Sequence, residues 1–187
     1  MKIAQTIIDY IIAQMKISIG NDVDGAGIGI VDTSGRVVSS YISDSGERDF
    51  LGLSDTRGNY FYFRLNGSPV ETRLAAGAKF GSCGTQIQTR IPLKLVVQHR
   101  CQSSAELIEV FKSNLFRVNL NRGGWGYDIF DIKLIPVSFN VSPWDVWKSE
   151  TGRDANEFGS MWQIGSVDFI LQIQYTYSDK CISFDLC

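Results

Sequence analysis

Between residues 89 and 115 the chain spells a strand followed by a capped helix, TRIPLKLVVQHR and then SSAELIEVFKSNL. Ile91, Leu93, Leu95, Val97 and His99 alternate with Pro92, Lys94, Val96, Gln98 and Arg100. A period of two places one of these sets on a buried sheet face. Ser103 and Glu106 have the spacing of a capping box, in which each side chain satisfies a backbone N–H of the first helical turn. Leu107, Val110, Phe111 and Leu115 then form one apolar helix stripe. A strand that enters a helix through a defined cap needs a sheet to join and a face for the helix to cover. The unit contains no catalytic constellation.

The rest of the chain supplies the other layers of such a fold. Residues 2–16 read as an amphipathic helix with Ile3, Ile7, Tyr10 and Ile11 on one side, flanked by Ile8, Ile12 and Met15. Its β-branched residues lower its intrinsic propensity, so packing must hold it. Ile28–Val31 and Arg36–Ile42 flank Asp32-Thr33-Ser34-Gly35, a hairpin signal. Ser43–Asn59 reads as a loop. Tyr60–Leu65 alternates as a strand, Asn66–Pro69 is a turn, and Ala75–Gly84 reads as a loop. Phe130, Ile132 and Leu134 predict a half-buried strand. Ser142–Glu157 reads as an insertion with a short helix from Pro143. Val167, Phe169, Leu171, Ile173, Tyr175 and Tyr177 share one face of a long final strand.

This order is not an alternating βαβ pattern. It predicts an α+β fold in one domain spanning residues 1–187: a mainly antiparallel sheet, two helices packed on one face, and long loop insertions. The other face, rich in Gln, Lys, Thr and Arg, is expected to meet water or a partner.

Charge narrows the function classes. The formal net charge is −2, which gives no bulk affinity for polyanions. Its distribution is uneven. Ten Lys/Arg and three Asp/Glu lie between Arg57 and Arg122, leaving eight and seventeen elsewhere. Such segregation suits either a polyanion surface or a plus-to-minus contact between identical subunits. No apolar run approaches the ~18 residues of a membrane span, and the start of the chain is a poor signal peptide.

Candidate chemistry is sparse. The one histidine, His99, ends the apolar face of its strand, and a dyad with Cys101 would be the only route to a His-assisted nucleophile. Cys83, Cys101, Cys181 and Cys187 form no CxxC pair and no zinc pattern; they are expected as free thiols in a reducing compartment. Asn21–Gly25 has the look of a calcium loop but lacks the Glu at its twelfth place, where Thr33 stands. Gly25-Ala26-Gly27-Ile28-Gly29 follows a helix and enters a strand, the reverse of a phosphate-binding loop. No cofactor, no metal and no catalytic residue is expected. Trp125, Tyr127, Trp144 and Trp147 fall outside the strand patterns, and Trp125 and Trp144 are candidate contact anchors.

With these segments placed, the chain resembles the tail-terminator and tail-completion proteins of tailed bacteriophages and the related head–tail connector ring proteins. The resemblance rests on an N-terminal helix before a set of strands, a RIPLKLVVQHR strand running into an SSAELIEVFKSNL helix, and a closing strand like SVDFILQIQYTY. It covers the first helix and roughly residues 87–180. Residues 44–86 and 142–160 are longer than a minimal member needs and could be arms that reach neighbouring subunits.

The resemblance implies a non-enzymatic virion protein of the neck or tail, assembled in the bacterial cytoplasm. It would form a homo-oligomeric ring beside other neck or tail proteins, with DNA passing through the lumen in transient, non-specific contact. Arg90, Lys94, Arg100, Arg122, Trp125 and Trp144 are the candidate subunit-interface or channel residues. Two other readings remain: a nucleic-acid-binding module that uses residues 57–122, with Tyr60 and Tyr62 stacking on bases, and a small hydrolase built around His99 or Cys101.

Overall fold

The computed structural model describes residues 2–20, 23–31, 37–42, 48–51, 59–74, 85–100, 103–121, 125, 129–152 and 162–177. In chain order the elements are α1 (Lys2–Ile19), β1 (Gly25–Val31), β2 (Val37–Ile42), β3 (Arg48–Leu51), β4 (Tyr60–Leu65), β5 (Val70–Leu74), β6 (Thr85–His99), α2 (Ser104–Arg117), β7 (Ile129–Asn140), α3 (Pro143–Thr151) and β8 (Gln163–Tyr177). The strands form one sheet in the order β3-β2-β1-β4-β6-β8-β7, and β5 pairs with the first part of β6 beside β4. Only β1 and β4 run parallel. The α+β expectation therefore holds at the level of helices combined with a mostly antiparallel sheet.

The alternating strand at residues 89–100 occupies the centre of this sheet. β6 pairs with β8 without a break, from Thr85↔Tyr177 to His99↔Gln163. Both strands send their apolar sets to the same side. There Leu93, Leu95, Val97, Val167, Phe169 and Leu171 meet Phe61 and Phe63 of β4, Ile7, Ile11 and Met15 of α1, and Leu107, Ile108, Phe111 and Leu115 of α2. Edge-to-face rings knit this core, with Phe61 5.6 Å from Phe111 and Phe63 5.8 Å from Phe169. Such pairs add roughly 0.5–1.5 kcal/mol beyond area burial.

α2 starts where its cap sequence places it. Ser103 is extended, and its Oγ accepts the Glu106 N–H at 3.2 Å. The helix lies so close to β8 that a Cβ on Gly165 would sit 2.5 Å from the Cδ1 and Cγ1 of Ile108.

The expectation of two helices on one face needs correction. α1 and α2 do share a face, but α3 packs on the other, which is therefore not left open along its whole length. Val146 and Trp147 of α3 close over Tyr60, Tyr62, Val96 and Ile164, a second and smaller core. Ser142 caps α3 by accepting the Asp145 N–H, Pro143 opens it, and Gly152 ends it at φ 68°, a left-handed conformation that costs glycine least.

The run Gly25-Ala26-Gly27-Ile28-Gly29 belongs to β1 and enters no helix. Its glycines share the face of Tyr60 and Tyr62 through the pairs Gly25↔Tyr60 and Gly27↔Tyr62. A Cβ on Gly29 would meet the Tyr62 ring at 2.9 Å. The alternating glycines leave room for aromatic side chains of the neighbouring strand.

Two further expectations change. Within 44–86, β4 is the strand expected at Tyr60–Leu65, while β3 at one edge falls in the expected loop Ser43–Asn59 and the exposed β5 is a further strand. The strand expected around 130–134 continues to Asn140, with register irregularities between Ile129 and Asp131 and between Pro136 and Ser138. The expected loop at 75–84 lies outside the described residues.

Candidate functional site

Charged side chains converge at one place among the described residues, under the C-terminal turn of α3. Glu150 ends up there because α3 turns Val146, Trp147 and Glu150 toward the sheet at helical spacing. Its carboxylate, whose side chain is 1% exposed, accepts from Arg64 Nη2 at 2.6 Å and Nε at 2.8 Å, a two-pronged pair. Tyr62 Oη donates to it at 3.1 Å and Lys94 Nζ lies at 3.5 Å. Ser149 Oγ lies 3.4 Å away but donates its one proton to the Val146 carbonyl at 2.9 Å.

Asp168 forms the adjoining half. It accepts from Asn66 Nδ2 at 3.0 Å and Ser138 Oγ at 2.7 Å, and Lys94 Nζ is 4.0 Å away. Two cations thus face two carboxylates.

The electrostatics follow from this geometry. Burial and the neighbouring Glu150 charge push the Tyr62 phenol well above its usual range, so it stays protonated and donates. For Arg64, burial works against the cation, but the hydrogen bonds and charge of Glu150 outweigh it and raise the guanidinium further. A carboxylate offers about four lone-pair sites, and four donors, two from Arg64 and one each from Tyr62 and Lys94, crowd those of the buried Glu150. The cluster acts as a fastener that holds α3 against β4 and β6.

The residues proposed from sequence scatter. Lys94 is in this cluster, paired with Glu150 and Asp168 rather than free for a neighbour. Trp125 belongs to the larger core: its ring packs edge-on against Tyr10 at 5.3 Å, and its Nε1 donates to the Leu120 carbonyl. Arg90 is exposed on the α3 side of the sheet. Arg100 is also exposed, with its guanidinium 4.5 Å from the centre of the Trp162 ring. Trp144 is 46% exposed at the start of α3. Arg122 lies outside the described residues, as do Tyr127 and all four cysteines, so Cys101 cannot be placed beside His99. His99 ends β6, with Nδ1 3.0 Å from the Arg100 carbonyl.

Among the described residues, the basic middle of the sequence does not form one basic stripe. Arg64 and Lys94 are matched by acids from the acidic remainder, and Lys112 is paired with Glu109. Arg73 pairs with Ile87 while Arg90 pairs with Val70, so strand alternation puts them on opposite faces. Tyr60 and Tyr62 are 1% and 2% exposed. They are core residues, unavailable for stacking on bases.

A further exposed apolar surface includes Trp144, a candidate from sequence, with three residues that sequence did not single out. Val137, Phe139, Val141 and Trp144 follow one another from the end of β7 into α3, each about half exposed or more. Phe139 lies beneath Lys112 of α2, 4.7 Å from the ammonium to the ring centre. Beside them a groove of about 620 Å³ runs between β7 and the segment after α2, lined by Phe116, Val118, Leu120, Ile132, Leu134 and Pro136 among others. β7 is the last strand of the sheet, without a neighbour on its outer side among the described residues. For Val137, Phe139 and Val141 the sequence signal is their apolar spacing, which also fits an ordinary half-buried strand.

Compared with known proteins, the chain matches no family model and no curated protein. The described residues hold no group of His, Cys, Asp and Glu suited to a metal ion. No described helix is long and apolar enough to cross a membrane.

Proposed function

We propose that the chain is a structural subunit that assembles through its sheet edge, as a ring protein of the neck or tail of a tailed bacteriophage of the terminator or connector type. The observation that carries this reading is the terminal strand β7, without a neighbour on its outer side among the described residues, with Val137 and Phe139 exposed along it and Val141 exposed just beyond. A sheet edge presents unpaired backbone donors and acceptors. An edge accompanied by exposed apolar side chains is a site of protein association. The phage assignment itself comes from the order of elements: an initial helix, a set of strands, the β6–α2 unit and the long closing strand β8.

A head-to-tail ring uses two different surfaces of each subunit. The sheet offers two unlike edges, the short β3 and the long β7. In this reading the subunit works mechanically: its ring joins two stages of particle assembly and leaves a channel, whose lumen requires only weak contact with DNA. Multi-angle light scattering and negative-stain microscopy of the purified protein test it. Closed rings are expected, and a strict monomer absent from virions would exclude the reading. Salt-sensitive binding to single-stranded DNA with no assembly would instead favour the nucleic-acid-binding alternative.

A further inference from the structure

The groove beside β7 has a specific shape. Between its two register irregularities, β7 runs without a break from Asp131 to Pro136. Ile132, Leu134 and Pro136 alternate along that stretch on the helix-covered face, and all three line the groove. Asp131 and Lys133 point to the other face, where the Lys133 ammonium pairs with Asp131 at 2.7 Å and its side chain remains 59% exposed. A strand added here would present its apolar residues to the groove at every second position, about 6.6 Å apart.

The chain carries a segment with that pattern. After β8 the sequence continues Ser178-Asp179-Lys180-Cys181-Ile182-Ser183-Phe184-Asp185-Leu186-Cys187, outside the described residues. Ile182, Phe184 and Leu186 recur with period two, matching the spacing of Ile132, Leu134 and Pro136. In a strand added at that register, Ser183 and Asp185 would take the alternate face, the side of the exposed Lys133 charge. We infer that residues 181–187 of one copy add as an extra strand to the β7 edge of a second copy, with Ile182, Phe184 and Leu186 seated in the groove. Backbone hydrogen bonds would supply affinity and the alternate pockets register, as in other cases of strand addition.

Chain reach selects a second copy over the same one. β8 ends at Tyr177, and Tyr175 pairs with Ile129, the first residue of β7. To reach the outer side of its own β7, the chain must cross two strand spacings, about 9.6 Å. It must also reverse direction around the end at which the chain enters β7. From Tyr177 to Cys181 the chain extends at most about 13 Å. That leaves too little for the reversal, whereas a neighbouring copy imposes no such limit.

This inference rests on the assembly reading, and the two can fail separately. The probe is a fluorescent peptide of residues 178–187 with both cysteines replaced by serine. It is titrated against the chain lacking residues 178–187 and followed by anisotropy, while both chain lengths are sized by light scattering. Saturable binding is expected, weakened at least tenfold by Phe184→Lys in the peptide, a change that cannot disturb the folding of the receptor. Leu134→Asp in the receptor should do the same. Assembly of the full chain with a monomeric shortened chain also supports the inference. If the shortened chain still forms rings and binds no peptide, strand addition is wrong and the ring reading stands. If the full chain is monomeric yet its shortened form binds the peptide through Phe184, the ring reading is wrong and the docking site stands. No peptide binding and no assembly would overturn both.

Discussion

Replacing Glu150 by alanine tests the fastener beneath α3. The carboxylate is almost completely buried, and the two cations it faces, Arg64 and Lys94, are 16% and 13% exposed. Removing it leaves a guanidinium held in low dielectric without its two-pronged partner and a buried Tyr62 hydroxyl without its acceptor. Breaking a buried pair by deleting one member costs roughly 3–5 kcal/mol. Lys94 keeps Asp168 as a weaker neighbour at 4.0 Å, and Arg64 reaches solvent in part, so the low end, about 3 kcal/mol, is expected. In urea, with a slope of roughly 2 kcal/mol/M, the midpoint should fall by about 1.5 M. In thermal melts the fall should be about 6–12 °C. A second variant separates the charge from the packing: Arg64→Met combined with Glu150→Leu removes both charges and should recover most of the loss, because an apolar replacement of a buried pair is often neutral. The resulting interaction energy in a double-mutant cycle should exceed about 0.5 kcal/mol. If Glu150→Ala shifts stability by less than about 0.5 kcal/mol, or if the double variant is the sum of its parts, the cluster does not hold α3.

Further predictions follow from other contacts. Because burial and Glu150 raise the Tyr62 phenol well above its usual range, the unfolded chain releases this proton near pH 10 while the folded chain retains it. Its stabilising contribution is therefore complete below about pH 10 and is lost as pH rises beyond it; melts from pH 9 to 11 should show a flatter alkaline decline for Tyr62→Phe than for the parent. Gly165→Ala should destabilise by about 1–3 kcal/mol through overpacking against Ile108, with part of the loss recovered on adding Ile108→Val; equal stability in urea would contradict the close approach of α2 to β8. Ser103→Ala should cost about 1 kcal/mol by freeing the Glu106 N–H from its cap, measurable as a shift in the urea midpoint at unchanged slope.

The parts legible in sequence are those whose signals are local. β6 shows a clear alternation, Ser103 stands three residues before Glu106, and Pro143 opens a short helix after Ser142. Each sits within a few residues of the structure it specifies. β7 was read only in part because Pro136 and the adjacent irregularity interrupt its period. The first residues of β8, Gln163 to Ser166, include a glycine and a serine with little strand preference, and their place is set by α2 packing on Gly165. β5 is short and exposed, so burial imposes no pattern on it. The fastener could not be read at all: Arg64 and Glu150 are separated by 86 positions. Segment charge is a poor guide for the same reason, since Arg64 and Lys94 of the basic middle meet Glu150 and Asp168 of the acidic remainder in the fold.

One signal in the sequence did require a second layer. The run Tyr60-Phe61-Tyr62-Phe63 is aromatic at every position, and all four residues are buried. A strand covered on a single face alternates; one with no polar position must be covered on both. Phe61 and Phe63 use the core made by α1 and α2, so Tyr60 and Tyr62 need a different cover, and α3 provides it. α3 has nine residues, too few to hold a helix in isolation, and it buries only Val146 and Trp147 of its apolar side chains. The charged pair with Arg64 is what remains to fix it in place. Trp144, 46% exposed at the start of the same helix, is carried by the element that the Glu150 fastener holds. Weakening it should therefore loosen α3 before the larger core, a local opening that protects the amides of β6 and β8 while exposing those of α3 in hydrogen exchange. Uniform loss of protection across both layers would show that the sheet and α3 unfold as one unit and that the fastener has no separate role in holding α3.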